Sequence, residues 1–125
     1  MAEPAKDGEQ EGPVPQHWRA TLTAIVESLV RRDDVLAAGV DPVDPVSPDA
    51  TAACLDAVDA YGAVTLLPLP DETWKTSVAM WHGDHWNCLV DLWTAEEGRS
   101  DLVLDVDVFE HEGGYRFRVH LVYVP

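Results

Sequence analysis

The chain has 125 residues, of which 46% are hydrophobic, and its 23 Asp and Glu against eight Lys and Arg give a formal net charge of −15. This length suits one domain whose core needs neither disulfides nor a structural metal. A strongly negative protein repels nucleic acids and anionic lipid headgroups. The charge therefore argues against nucleic-acid-binding and membrane-surface roles. It would favour association with a basic protein, but it is also the ordinary means by which a soluble protein avoids self-association.

The chain contains no targeting or membrane signal that can be recognised. No stretch approaches the roughly 20 apolar residues that a membrane span requires, and the polar N-terminus lacks the apolar segment of a secretory signal. The two cysteines, Cys54 and Cys88, fit no zinc-binding spacing. We therefore expect a soluble, cytoplasmic protein with two buried free thiols.

The first 15 residues differ in composition from the rest of the chain. Residues 1–15 are rich in acidic residues, Pro and Gly, a composition that buries little apolar area. We predict a disordered acidic tail over residues 1–15 and one domain over residues 16–125.

Two helices are predicted in the first half of the domain. Apolar residues recur at helical spacing and predict a helix over 16–32: Trp18, Leu22, Ile25, Val26, Leu29 and Val30. Two Asp-Pro steps then indicate a loop. Ser47 as an N-cap, Pro48 in the first turn and Gly62 as a stop predict a second helix over 48–61.

From Ala63 the hydrophobic period changes to two, which predicts β-strands. A short strand at an edge or in a crossing segment is expected over 64–67, and the two strands of a hairpin are expected over 74–82 and 85–93. Gly83-Asp84 suits a two-residue hairpin turn. That register places Trp81 opposite Trp86, and Trp74 opposite Trp93.

A last hairpin is predicted around residues 111–114. Eight alternating apolar residues are expected to share one face: Leu102, Leu104, Val106, Val108, Phe117, Val119, Leu121 and Tyr123. The other face would pair Asp107 with Arg118 and Asp105 with His120. The pattern predicts an α+β fold in which two N-terminal helices pack on a four- to five-stranded antiparallel sheet, in the order α-α-β-β-β-β-β.

The sequence contains no recognisable catalytic motif. A nucleophile elbow and a Gly-rich phosphate loop are both missing. His82 and His85 could bind Zn²⁺ or Ni²⁺, but a closed site needs more ligands than this turn supplies. We predict no catalytic residue, no metal site and no cofactor, and we lean towards a protein that is not an enzyme.

The segment 94–101 (TAEEGRSD) is the densest polar cluster. Its carboxylates could serve acid-base chemistry if burial separated their pKa values. As a plain surface turn, it would have Thr94 or Ser100 capping the backbone, Gly98 at positive φ and Arg99 pairing with the acids. The candidate binding residues are Trp81, Trp86, Asp91, Trp93, Glu96, Glu97, Arg99 and Asp101.

The stretch W-x(4)-W-x(3)-VDLWTAEEGRSDL, from Trp81 to Leu102, resembles a family of small bacterial proteins of unknown function. The low Lys content and the abundance of Ala, Val and Asp resemble an actinobacterial member. The resemblance covers about residues 16–125 and implies no known activity. It points to the segment 91–101 as the place to look for a functional site. A helix followed by long antiparallel strands is also similar to the cone-shaped fold of nuclear-transport-factor-like and cystatin-like proteins.

Three hypotheses for function follow. The first is a non-enzymatic interaction module, for example an immunity- or antitoxin-type protein, whose acids at 94–101 contact a basic partner. The second is a ligand-binding or enzymatic pocket with Asp91 or Asp101 as its polar group and an aromatic lining of Trp74, Trp81, Trp86 and Tyr123. The third is an accessory subunit that forms a homodimer rather than remaining a monomer.

Overall fold

The computed structural model describes residues 5–125, so residues 1–4 of the predicted tail lie outside the described residues. Within 5–125 an antiparallel sheet has five strands hydrogen-bonded in the order β1-β2-β3-β4-β5. Two α-helices lie in the chain between β1 and β2. The predicted α+β architecture is confirmed. The elements are β1 Gly12–Pro13, α1 Arg19–Arg31, α2 Pro48–Tyr61, β2 Val78–Trp81, β3 Trp86–Thr94, β4 Gly98–His111 and β5 Gly114–Tyr123.

Both helices form where the sequence predicts them. A 3₁₀ turn at Gln16–Trp18 leads into α1, which ends at Arg32 in the left-handed conformation. The Ser47 hydroxyl accepts a hydrogen bond from the Ala50 backbone N–H and caps α2, and α2 ends before Gly62. Local capping signals therefore set both ends of α2 and the C-terminal end of α1.

One face of the sheet packs against the helices and forms the core. On β3 and β4 every second residue is buried on this face, as the strand period requires. Among the largest fully buried side chains are Trp18, Trp86, Leu22, Ile25, Leu29, Leu92, Leu102 and Leu104. We call the opposite side of the sheet the outer face; neither α-helix contributes to it.

The predicted register of the last hairpin is correct for its first half and wrong for its second. Asp107 lies opposite Arg118, as expected. A bulge then shifts the register, so Asp105 lies opposite Leu121 rather than His120. Because the extra residue reverses the alternation, Val122 faces the core, and Leu121 and Tyr123 lie on the outer face. The eight predicted residues therefore do not share one face.

The tryptophan hairpin also differs from its prediction at one end. Trp81 lies opposite Trp86, as predicted. Trp74 does not face Trp93, because a 3₁₀ turn at Asp71–Lys75 replaces the first part of the expected strand. The expected strand at 64–67 is reduced to one bridge between Leu66 and Thr94.

The packed part of the chain begins before Gln16, where the domain was predicted to start. Gly12–Pro13 pairs with β2, and Val14 is 1% exposed within the core. Ala5 also accepts a hydrogen bond from the Trp86 indole N–H. Composition alone did not indicate these contacts, since they depend on distant aromatic residues.

The loop before α2 covers the free edge of β5. Val43 forms a parallel bridge with Phe117, and the Arg116 guanidinium bonds Asp41 and Asp44. The sheet edge is therefore partly closed by chain that the sequence predicted only as a loop. Within residues 5–125 no helix combines the length and the apolar character needed to cross a membrane.

Candidate functional site

The turn between β3 and β4, which we call the acidic turn, comprises residues 94–101. Thr94 pairs with Gly98 across the hairpin, and Gly98 has a φ of +77°. The Glu97 backbone N–H donates to the Thr94 hydroxyl at 3.1 Å. These features match the plain surface turn that the sequence suggested, with Thr94 as its cap and Gly98 at positive φ.

Side chains from outside the turn hold two of its acids in place. The Thr65 backbone N–H and hydroxyl donate to the two oxygens of Glu96 at 2.7 and 3.0 Å. The Tyr61 hydroxyl donates to Glu97 at 3.0 Å and accepts from the Asp101 backbone N–H at 3.2 Å. The hydrogen bond from the Thr65 backbone N–H lowers the pKa of Glu96 below its ordinary value. The turn is thereby fixed to the C-terminal end of α2.

The carboxylates of the acidic turn remain available to a partner. Glu96, Glu97 and Asp101 are exposed, and within residues 5–125 none of them forms an ion pair with Lys, Arg or His. Arg99 is also exposed and, in this described part of the chain, pairs with no acid. The expected pairing of Arg99 with the acids is therefore wrong.

An open depression of about 360 Å³ borders the acidic turn. It is lined by Asp91, Arg99, Ser100, Asp101, Val103, Val124 and Pro125. The Thr76 hydroxyl donates to the Asp91 carboxylate, and Ser100 donates to the Leu92 carbonyl at 2.8 Å. Its lining combines carboxylates with one guanidinium, which suits recognition of a polar, charged surface rather than enclosure of a small apolar ligand.

Trp93 lies beside this depression, opposite Arg99 in the strand pairing. Its indole nitrogen is buried and has no hydrogen-bond acceptor within the described residues. The structure thus brings Asp91, Trp93, Arg99 and Asp101 to one end of the sheet, with Glu96 and Glu97 at the tip of the turn.

The remaining two candidate residues lie at the other end of β3. Trp81 and Trp86 meet edge to face, with ring centroids 4.7 Å apart. Trp86 is 1% exposed and packs on Trp18 at 5.3 Å. We call Trp18, Trp81, Trp86 and Tyr115 the aromatic end. The eight candidates therefore form two separate groups rather than one site.

The expected aromatic pocket does not form from the residues proposed for it. Trp74 lies under the Arg19 guanidinium, 5.4 Å from it, while Tyr123 lies on the outer face. Trp86 is packed in the core. Trp86 and Tyr123 therefore lie on opposite faces of the sheet and cannot line one pocket with Asp91 or Asp101.

Sequence reasoning predicted the contact between Asp105 and His120 on the outer face but missed the polar network around Asn87 to which it belongs. The Asn87 amide donates to Asp105 and to Asp107, although Asp105 is only 8% exposed. His85 and His120 flank the two carboxylates at 3.6 and 3.5 Å. The strand alternation of β3 is the feature of the sequence that could have revealed Asn87, because it places Asn87 on the outer face, directly opposite Asp107. This network satisfies the buried carboxylate of Asp105.

The turn that carries His82 and His85 shows no metal-binding geometry. The His82 and His85 rings are 5.6 Å apart, and His85 Nδ1 lies 2.6 Å from Asp84. Across residues 5–125 no three His, Cys, Asp or Glu side chains are placed to hold a metal ion.

Burial raises the pKa of the Cys88 thiol, with Asp107 and Asp105 adding to the shift, so this cysteine is a poor nucleophile.

A family model matches most of the chain. It is the domain of unknown function DUF7668, and it spans residues 26–125. The chain belongs to this family. Neither a curated protein nor a solved structure matches it.

Proposed function

We propose that this protein is a non-enzymatic interaction module that binds a basic protein through the acidic turn, in the manner of an immunity or antitoxin protein. The observation that carries this proposal is the fixed set of exposed carboxylates on Glu96, Glu97 and Asp101. Thr65 and Tyr61 bond the Glu96 and Glu97 carboxylates, and Tyr61 accepts a hydrogen bond from the Asp101 backbone N–H. None of the three carboxylates has a cationic partner in the described chain.

The fixed conformation of the turn supports rapid, specific binding. Charges that complement a basic surface raise the association rate, and they do so most at low ionic strength. A turn already held by hydrogen bonds loses little conformational entropy when it binds. Arg99, which lies between the acids, would select a partner with a matching acidic or carbonyl group.

The neighbouring outer face supplies the apolar area that such an interface needs. It carries apolar side chains that are at least partly buried, on four strands: Val78, Met80, Leu89, Val103, Leu121 and Tyr123. Interfaces combine an apolar centre with a polar rim. We infer that a partner covers part of this face and that its Lys and Arg residues reach the acidic turn.

We also propose a bacterial, actinobacterial-type cytoplasm as the setting. The Ala-, Val- and Asp-rich composition supports this source, and the two free thiols, Cys54 and Cys88, are consistent with a reducing compartment.

The proposal is tested by affinity capture from source cells, followed by kinetics with the captured basic protein. Replacing Glu96 and Glu97 with Gln and Asp101 with Asn should slow association at least about tenfold at low salt and flatten its salt dependence. A matched control neutralises three exposed acids elsewhere, at Glu27, Asp34 and Glu72. If both triple variants slow association equally, only net charge matters and the acidic turn is not the contact surface.

The same experiment distinguishes the other two hypotheses. Capture of only a second copy of the chain, with a sedimentation coefficient that depends on concentration, would replace the proposal with a homodimer. Capture of no protein, together with a small molecule retained by the purified chain, would favour a ligand-binding role. A captured basic protein whose association depends on the acidic turn would support the proposal.

A further inference from the structure

The aromatic end holds a cation that comes from the N-terminal segment of the same chain. The Lys6 ammonium lies 5.1 Å from the Trp81 ring centroid and 5.8 Å from that of Trp86. It also donates to the Glu110 carboxylate at 2.9 Å. Two indole rings and one carboxylate therefore surround a single ammonium group.

The rings and the carboxylate are positioned by the sheet rather than by Lys6. Trp81 and Trp86 face each other across the β2–β3 hairpin, and Glu110 lies on β4 next to the strand that carries Trp86. Trp86 is further fixed by its contact with Trp18. We call Trp81, Trp86 and Glu110 the lysine cage.

The chemistry of the lysine cage is that of an ammonium site. The face of an indole ring carries negative electrostatic potential and attracts Lys or alkylated ammonium groups within about 6 Å. A carboxylate at hydrogen-bond distance adds a charge-assisted bond to a primary ammonium. The half-exposed Lys6 and Glu110 side chains, at 45% and 49%, show that the site opens to solvent.

We propose that the lysine cage is a binding site for the lysine side chain of a basic peptide or protein, and that Lys6 is its intramolecular ligand. An incoming lysine takes the place of Lys6, and residues 5–11 leave the aromatic end. The site lies at the other end of β3 from the acidic turn and does not rest on the function proposed for that turn.

The connection of Lys6 to the domain sets how readily it is displaced. Ala5 accepts a hydrogen bond from the Trp86 indole N–H at 3.0 Å, and Gly12–Pro13 is fixed by pairing with β2. A ligand joined by so short a segment has an effective concentration on the order of millimolar. Free lysine compounds must therefore compete with Lys6 in the intact chain and bind more readily when it is removed.

The test uses the full chain and follows the indole N–H signals of Trp81 and Trp86 by NMR during titration with Nα-acetyl-lysine amide. We expect Lys6→Ala to lower the half-saturating concentration at least about fivefold relative to the unaltered chain. Lys75→Ala is the matched control, because Lys75 is the other lysine and is exposed. It should titrate like the unaltered chain.

Three further arms decide what the cage recognises. Nα-acetyl-norleucine amide has a similar apolar stem without the ammonium and should leave both indole signals in place. Glu110→Gln in the Lys6→Ala background should weaken lysine binding severalfold. The trimethylated lysine compound tests whether the rings or the carboxylate dominate, since it keeps the charge and cannot donate to Glu110; weaker binding than lysine is expected.

The proposal is overturned if Lys6→Ala shows no saturable response at lysine amide concentrations up to roughly 10 mM, which exceeds the millimolar effective concentration of Lys6. It is also overturned if the norleucine compound shifts the signals equally, or if Lys6→Ala and the unaltered chain titrate alike. A chain in which Glu96, Glu97 and Asp101 are neutralised should bind lysine amide like the unaltered chain. The experiment therefore tests the lysine cage separately from the interface proposed at the acidic turn.

Discussion

The two ends of β3 are built from different interactions. At the aromatic end, Trp86 is buried against Trp18, Trp81 and Tyr115, and shape and apolar area dominate. At the acidic turn, hydrogen bonds from Tyr61 and Thr65 fix carboxylates that stay near solvent, whereas Ser100 bonds buried backbone. We expect burial of the rings to provide most of the stability of this hairpin, whereas the hydrogen bonds mainly determine where the charges point.

The largest expected effect is at the aromatic end. Trp86→Ala should lower the free energy of unfolding by about 3–5 kcal/mol, because it leaves a cavity between Trp18 and Tyr115. Urea denaturation followed by circular dichroism measures this loss. A loss below about 1 kcal/mol would contradict the view that ring burial dominates this end.

A buried hydrogen bond next to the acidic turn gives the next largest effect. Ser100 donates to the Leu92 carbonyl and accepts from the Leu102 backbone N–H at 3.1 Å. Ser100→Ala leaves both buried backbone groups without this partner and should cost about 1–3 kcal/mol. Amide hydrogen exchange at Leu102 should accelerate together with the loss of stability. Unchanged exchange would mean that the start of β4, where its register with β3 shifts between Asp91 and Trp93, does not depend on this hydroxyl.

A smaller effect is expected from the cation at the aromatic end. Lys6→Ala removes exposed cation–π contacts and an exposed ion pair, so the free energy of unfolding should fall by only about 0.5–1 kcal/mol. Lys75→Ala serves as the control in the same denaturation experiment. A loss as large as that of Trp86→Ala would show that the N-terminal segment, rather than ring packing, stabilises this end.

The smallest effect is a change in the pH dependence of stability. The folded-state pKa of Glu96 is lowered, chiefly by the Thr65 backbone N–H. Its contribution is therefore present above the unfolded-state pKa and is lost as the pH falls through the lower folded-state value. Glu96→Gln should flatten the acid limb of a plot of stability against pH.

Glu72→Gln is the control for that measurement, since Glu72 is exposed and makes no side-chain hydrogen bond within the described residues. In the Glu72→Gln variant, stability should fall more steeply with decreasing pH than it does in the Glu96→Gln variant. Equal flattening in both variants would assign the effect to net charge rather than to the Thr65 contact.

The candidate site could be predicted only in part from the sequence. Asp91, Arg99 and Asp101 come together because a hairpin brings its own ends close, and hairpins are visible in sequence. The contacts of Tyr61 and Thr65 with the acidic turn could not be predicted, because they join residues about 30–40 positions apart. Asn87 was missed for a similar reason, since its role depends on strand register.

The sequence by itself determined the two helices and the hairpin between Trp81 and Trp86, because caps, turns and hydrophobic period are local signals. Only the tertiary structure decided the bulge that turns Leu121 and Tyr123 to the outer face, and the docking of Ala5 and Lys6 on the aromatic end. Both depend on contacts between distant segments, whose free energy is set by the surfaces that meet rather than by the local pattern.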